Sequence, residues 1–577
     1  MNNVENLITE HIDTWTSAIK TKSSAGRGNS NKRELYGIKK LRELILEFAF
    51  RGLLVPQDAN DEPADILLDR ISNIKDKLIE SKVIKKPKNF PKISDDEKPF
   101  ELPSGWTWVR LQDIGHDLGQ KKPNGDFTYI DVGAINSNIG SIETPNVLIA
   151  DEAPSRARKI VKKGTVIYST VRPYLLNIAV IDKSFSPEPI ASTAFAVIHP
   201  LEGINASFVY RYLRSPSFVQ YVESVQTGIA YPAINDKQFF SGLIPIAPER
   251  EQNRIADKLD ELMNLCEQIE QQIDASIDAQ EMLVSTLLKA LTDAAICSEN
   301  GVKQFPQAWK RITENFDLLF TTESSINQLK QAILQLAVMG KLVPQDINDE
   351  PATVLLKKVA SQKEQLIKEG KIKKQKPLLA ISDDNVPFKL PDGWVWSRFF
   401  ETNTVRSNLV AALDYPNEQQ VAPDIIEKNT GRLIAHRTVT EAGAKGPNNK
   451  FSQGQLLYSK IRPSLNKVVI APYDGLCSAD MYPIDTYINS SYVLYSMLSE
   501  VFLVQVRSAE NRVKMPKLNL DSLGKFLVPI PPLAEQQRIS EKVSELFSLC
   551  EALKSKIKQA HSVQLDIAES VTKTAIV

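Results

Sequence analysis

LRELILEFAFRGLLVPQDANDEPADILLDRI, residues 41–71, returns as LKQAILQLAVMGKLVPQDINDEPATVLLKKV, residues 329–359, and this repetition decides how the 577-residue chain is built. The same step of 288 positions separates ISDDEKPFELPSGWTWVR, residues 93–110, from ISDDNVPFKLPDGWVWSR, residues 381–398. Further on, PEREQNRIADKLDELMNLCE from Pro248 returns as PLAEQQRISEKVSELFSLCE from Pro532, a step of 284. A period of half the chain means two copies of one unit. Between these anchors the copies diverge, sharing only landmarks such as Gly164, Tyr168, Ser169, Arg172 and Pro173 against Gly454, Tyr458, Ser459, Arg462 and Pro463. ITEHID at Ile8 matches ITENFD at Ile312, a step of 304, so the first copy carries 16 extra residues. They include the basic KTKSSAGRGNSNKR, residues 20–33, whose Gly and Ser content reads as a loop, with phosphate or partner contact left open.

After each divergent block, apolar residues step by 4, 3, 4, 3, 4: Ile255, Leu259, Leu262, Cys266, Ile269, Ile273, and then Ile539, Val543, Leu546, Cys550, Leu553, Ile557. That is a heptad seam on a long helix, with charged residues such as Asp257, Lys258 and Asp260 on the solvated face. Before each block lies a second helical stretch, in which Leu67, Ile71, Ile74 and Leu78 step by 4, 3, 4. Each copy is thus helix, block, helix. The expected fold is α+β: two globular α/β domains separated by long helices that form antiparallel coiled coils, with internal duplication and pseudo-two-fold symmetry. In mid-chain the helices of the two copies join, so the helices at the chain's ends should pair with each other, beside the second block. The expected domains are residues 1–97, 98–248, 249–386, 387–532 and 533–577.

Both blocks follow a Lys/Pro-rich stretch (KKPKNFPK, KKQKP) and open with LP-x-GW-x-W, where Trp106 and Trp108, or Trp394 and Trp396, alternate as strand residues do. The first block continues through strand-like FTYIDVGAI, a turn at NSNIG, EAPSRARKI read as helical, GTVIYSTVRPYLLNIAVI, TGIAYPAIND and strand-like LIPIAP. The Y-S-x-[VI]-R-P element sets hydroxyl and guanidinium groups at a strand end, since a residue before proline is biased to extended backbone. Ser169, Thr170, Arg172 and Tyr174 gather there in the first block; Ser459, Lys460, Arg462 and Ser464 do so in the second. Such groups suit phosphates and base edges. The alternative is a strand-end turn whose arginine pairs with a carboxylate. Further basic candidates are Lys121, Lys122, Arg156 and Arg158 in the first block. In the second they are Arg432, His436, Arg437, Lys445, Arg512, Lys514 and Lys517.

Composition narrows the classes. Lys plus Arg and Asp plus Glu each total 70, so nucleic-acid binding has to rest on local patches rather than a global field. Cys266, Cys297, Cys477 and Cys550 show no C-x-x-C spacing, and the five histidines form no H-x-x-x-H pair. Neither a disulfide framework nor a metal site is expected, and the setting is expected to be reducing and cytoplasmic. The charged start and the want of any run of roughly 20 apolar residues argue against a signal peptide and a membrane span. No G-x-G-x-x-G follows a strand, no P-loop occurs, and no N/D-P-P-Y/F is present, so no enzymatic site and no cofactor is expected. Glu80-Ser81-Lys82 and Glu369-Gly370-Lys371 imitate the end of a nuclease motif, but both lie in charged helical segments without a convincing upstream aspartate.

In order, and twice over, these features resemble the specificity subunit of a Type I restriction-modification system. The resemblance rests on the P-x-x-EQ-x-RI helix starts, on SRARKIVKKGTVIYSTVRPYL and TGIAYPAIND, on YSKIRPSLNK, and on the paired G-x-LVPQD-x-NDEPA stretches, which are most like the IB branch. It implies a non-catalytic subunit with two target recognition domains, each reading half of a split, asymmetric double-stranded DNA site. It further implies two methyltransferase subunits docked on the helices, restriction subunits as additional partners, and S-adenosylmethionine and ATP handled by those partners. Direct major-groove readout is expected from the loops around Arg172 and Arg462, with Tyr231 of TGIAYPAIND joining the first set. The competing reading is a protein-interaction scaffold that never touches DNA. TGIAYPAIND corresponds to NRVKMPKLNL in the second block, so the two blocks should contact their targets differently.

Overall fold

The computed structural model describes residues 6, 8–22, 32–87, 89–228, 230–296, 301–374, 378, 380–382, 386–510 and 516–576. The chain divides into two compact units, residues 1–275 with 560–577, and residues 276–559. In each, the duplicated motifs find one another.

In unit 1 a short helix (Ile12–Ser17) precedes helices α1 (Tyr36–Phe50) and α2 (Ala64–Glu80). The 4, 3, 4 spacing turns Leu67 and Ile71 fully inward, while Ile74 and Leu78 are partly buried. The first block follows as two four-stranded sheets. One has the order Ile178–Val180, Val166–Ser169, Phe195–Pro200, Gly115–His116; the other has the order Asn146–Leu148, Phe127–Ile130, Pro189–Ser192, Ala157–Ile160. The strands needed below are β1 (Thr107–Arg110), β2 (Ala157–Ile160), β3 (Val166–Ser169), β4 (Phe195–Pro200) and β5 (Leu243–Ile246). β1 and β5 pair antiparallel and so close the block where it meets the frame. The 48-residue α3 (Glu249–Ile296) leaves from β5.

Unit 2 repeats the plan with α4 (Glu323–Val338), α5 (Ala352–Lys368), β6 (Val395–Arg398), β7 (Leu456–Ser459), β8 (Met481–Thr486), β9 (Leu527–Ile530) and the 44-residue α6 (Leu533–Ile576). β7 and β8 lie at the centre of the sheet Asn403–Val405, β8, β7, Val468–Ile470, and β6 pairs with β9.

The repeated sequence motifs are the joints of this plan. The indole Nε1 of Trp106 donates to Glu251 Oε2 at 3.0 Å, and that of Trp394 to Glu535 Oε2 at 2.9 Å. Gln252 and Gln536 each donate to the backbone just before their helix, at Ala247 O and Pro531 O, both 2.9 Å. Arg254 pairs with Asp61 at 2.7 Å and Arg538 with Asp349 at 2.6 Å, which joins the EQ-x-RI helix start to the NDEPA stretch. Block and frame therefore share one core: Leu41, Leu44 and Ile45 of α1 cluster with Trp106, Phe208, Tyr212, Ile255 and Leu259. The heptad seam serves the same core, with Ile255, Leu259 and Cys266 buried in unit 1 and Ile539, Val543 and Cys550 buried in unit 2.

Three expectations change. EAPSRARKI is not helical: after the short turn Ala150–Glu152 it is strand β2, with Ala157 and Lys159 buried in alternation, because pairing with Pro189–Ser192 outweighs the helix propensity of Ala, Arg and Lys. The basic insert is not loop throughout. Lys20–Lys22 pairs antiparallel with Lys32–Glu34, and its tip, residues 23–31, lies outside the described residues. The ends of the chain do pack together, but within unit 1, where Ala568 joins Trp15, Ala18 and Ile38 in the core. α6 starts in unit 2, and its end, from Ala560 onward, belongs to unit 1. Likewise Val284, Leu288 and Leu291, near the end of α3, belong to the core of unit 2.

Candidate nucleic-acid interface

The Y-S-x-[VI]-R-P element is a hairpin turn built twice to one plan. Gly164 and Gly454, both at φ 85°, admit the chain to β3 and β7, a conformation that a side chain resists. Tyr168 and Tyr458 are buried at the ends of these strands, and burial raises both phenols above their ordinary pKa. The turn then closes on itself. Ser169 N–H donates to Asn177 O at 3.0 Å and Ser459 N–H to Lys467 O at 2.9 Å. Leu175 N–H reaches Arg172 O at 3.0 Å, and Leu465 N–H reaches Arg462 O at 2.9 Å.

At the tip, Arg172 has φ 49°, ψ 58° and Arg462 has φ 45°, ψ 55°, both left-handed. The expectation of extended backbone before proline fails here. Each arginine is pinned from outside the turn as well, Arg172 N–H to Pro232 O and Arg462 N–H to Pro516 O, both at 2.8 Å. A left-handed non-glycine residue costs roughly 1–2 kcal/mol, and these tertiary bonds hold it in place. TGIAYPAIND and NRVKMPKLNL thus perform one structural task, the bracing of the R-P turn, through bridges Val171↔Ala233 and Ile461↔Lys517.

Burial sorts the expected site residues. Ser169 and Thr170 do not face solvent: Ser169 Oγ donates to Val171 O and Thr170 Oγ1 to Ala194 O, both at 2.9 Å, so these hydroxyls are consumed in building the turn. Arg172 is exposed, as are Tyr174, at 53% of its surface, and Tyr231, at 69%. The Tyr231 ring lies 5.0 Å below the Arg172 guanidinium. Val171 and Leu175, which flank R-P and which sequence reasoning missed, are exposed as well. Only their place beside R-P could have signalled them. Arg156 is exposed on the segment that abuts the turn: its carbonyl accepts from Thr193 N–H at 2.8 Å, and the neighbouring Ala194 carbonyl accepts from Thr170 N–H at 2.9 Å. Lys122 is exposed; Lys121 is paired with Glu188, and half-buried Arg158 donates to Ala157 O at 2.8 Å.

In the second block, Arg462 is exposed and Lys460 half-buried, its ammonium 5.5 Å from the Tyr482 ring. Ser464, the counterpart of Tyr174, is turned inward, its N–H donating to Glu510 at 2.9 Å. Arg437 is engaged elsewhere. It grips Asp424 bidentately at 2.7 and 2.8 Å, and these hydrogen bonds hold the Asp424 carboxyl below its usual pKa. Arg432 reaches Glu551 of α6 at 3.1 Å, His436 meets the Tyr473 hydroxyl at 3.2 Å, and Lys517 pairs with Asp480 at 3.4 Å. Lys514 and Arg512 lie outside the described residues. Among the described residues neither Arg172 nor Arg462 forms an ion pair, so the reading of a turn arginine spent on a carboxylate does not describe them. Within the same limits, no cluster of His, Cys, Asp or Glu could hold a metal ion, and no helix is long and apolar enough to cross a membrane.

The family described as the Type I restriction modification DNA specificity domain matches residues 103–279 and 424–560, one match per block, each running into its long helix. The chain belongs to this family. The specificity subunit of the Type I restriction enzyme EcoAI from Escherichia coli is 38% identical over 99% of this chain and 100% of its own length. That of EcoEI, also from Escherichia coli, is 36% identical with the same coverage. Among solved structures, a chain described under complex assembly and conformational transition of the type I R-M system is 20% identical, with TM-score 0.48, covering 83% of this chain and 99% of that one. The HsdS subunit from Thermoanaerobacter tengcongensis is also 20% identical, with TM-score 0.41, over 83% and 98%. Both stretches matched by the specificity family contain an arginine turn and the EQ-x-RI helix start.

Proposed function

We propose that this chain is the non-catalytic subunit that selects the DNA sequence for a Type I restriction-modification complex, each block engaging one half of a split, asymmetric site. The carrying observation is the pair of R-P turns. Two blocks of one plan, locked to duplicated frames by the same Trp–Glu and Arg–Asp contacts, present an arginine on the same left-handed turn with different neighbours around it. A common frame with divergent rims suits one kind of ligand read in two sequences. The contact set is Lys122, Arg156, Arg172, Tyr174 and Tyr231 in the first block and Lys460 and Arg462 in the second, with Lys514 retained from the sequence. The half-sites would lie about one helical turn apart, a spacing set by α3 and α6.

The duplicated helices offer two equivalent docking faces, which fits two methyltransferase subunits, with restriction subunits joining the assembly. Adenine methylation, translocation and cleavage belong to those partners. The neutral overall charge is consistent with sharing phosphate attraction among subunits. The test is to express the chain with its cognate methyltransferase and sequence the methylome. A new bipartite adenine-methylation motif is expected; its absence would leave a scaffold that does not read DNA.

A further inference from the structure

We propose that Arg172 and Arg462 grip the phosphate backbone of DNA, one per half-site, and that base reading falls to the neighbours that differ between the blocks. This rests on the DNA-reading function above and changes the role first expected for these arginines, which was base readout.

Two blocks that read different bases have no reason to keep a base-reading side chain in one geometry. The sugar-phosphate backbone is the part of any half-site that does not change. Arg172 and Arg462 agree within a few degrees in φ and ψ, donate the same N–H to the same loop at the same 2.8 Å, and follow serines with matching bonds, Ser169 Oγ to Val171 O and Ser459 Oγ to Ile461 O, both 2.9 Å. The neighbours do not agree. Exposed Tyr174 stands where Ser464 is turned in to Glu510, and Thr170, spent on Ala194 O, stands where Lys460 lies over Tyr482.

Glycine would occupy both positions without strain, so the guanidinium itself is what the left-handed turn retains. A planar guanidinium binds a phosphate through two parallel N–H donors. Tyr231 below the Arg172 group supports it by a cation–π contact, and a ring occupies none of the planar N–H donors that a phosphate would take. Contact with a phosphate would also fix the register in which the divergent rim meets the bases.

The experiment uses the assembled complex with its methyltransferase subunits and measures binding to a duplex carrying the site and to one lacking it, across salt concentrations. Arg172→Gly and Arg462→Gly each relieve the left-handed strain, so their thermal midpoints should stay at the wild-type value. Each should weaken binding to both duplexes by roughly tenfold, keep the ratio between them, and lower the slope of log K against log salt by about one. Arg172→Lys should keep the slope. Relaxed preference at particular bases with an unchanged slope, or no loss of binding, would overturn the phosphate role. A wild-type complex that binds both duplexes equally would instead contradict the function proposed above.

Discussion

His199 shows how burial sets the chemistry of single residues in the first block. It sits on β4, its Nδ1 2.8 Å from Thr165 Oγ1 and its ring 5.3 Å from that of His116. Desolvation foremost, with the neighbouring His116 and Lys162, pushes it down to about 4, Asp117 opposing. A base whose folded pKa lies below its unfolded value near 6.5 stabilises the fold above 6.5, and that stability is lost as pH falls toward 4. Thermal unfolding followed between pH 7 and 4 should show this loss, and His199→Gln should make the curve flatter over that window. Ser169 is a second residue whose role burial decides. Ser169→Ala should cost about 1 kcal/mol of stability through loss of its bond to Val171 O while leaving site preference unchanged, as read by denaturant melts and the methylation motif. The seryl and threonyl groups looked like ligands in the sequence because Ser and Thr are equally apt for turns; only the fold shows their hydroxyls facing inward. Arg172 was legible as important and illegible in conformation, since proline after it favours extended backbone and the bonds that overrule this come from Pro232, sixty residues away.

Between elements, the repeated motifs act as fasteners, and a pair of lysines outside those motifs acts beside them. Lys75 of α2 and Lys363 of α5, 288 positions apart, each point into carbonyls at the block's entry: Lys75 at Gln112 O, and Lys363 at Phe400 O and, at 3.2 Å, Asn403 O. Burial, opposed by Glu401, lowers Lys363 to about 8. Because its folded pKa lies below the unfolded 10.5, its contribution is fully present above 10.5 and is lost as pH falls through 8. Stability of unit 2 should therefore rise between about pH 8 and 10.5, and Lys363→Met should remove that rise in calorimetry. Trp106→Ala should be far more damaging, about 3–5 kcal/mol, because it empties a core site and leaves Glu251 without its donor. The long helices and GW-x-W strands were legible in the sequence because period and alternation survive any packing. EAPSRARKI was misread because its residues favour helix locally, and its partner strand Pro189–Ser192 is thirty residues distant.

At the scale of the whole molecule, duplication divides the chain's tasks. The frames repeat residue for residue at their joints, while the blocks keep a common turn and vary its rim. Each long helix contributes its start to one unit's core and its end to the other's, as Ile255 and Val284 show for α3. Removing one heptad from each long helix takes out about 10.5 Å; the gap in the methylation motif should shorten, with both half-sites unchanged. The most direct measurement is the methylation motif of a chimera in which residues 98–248 are replaced by the corresponding block of another family member, expressed with the cognate methyltransferase. One half of the motif should change and the other half and the gap should stay. A motif changed in both halves, or in neither, would contradict the claim that each block reads its own half of the site.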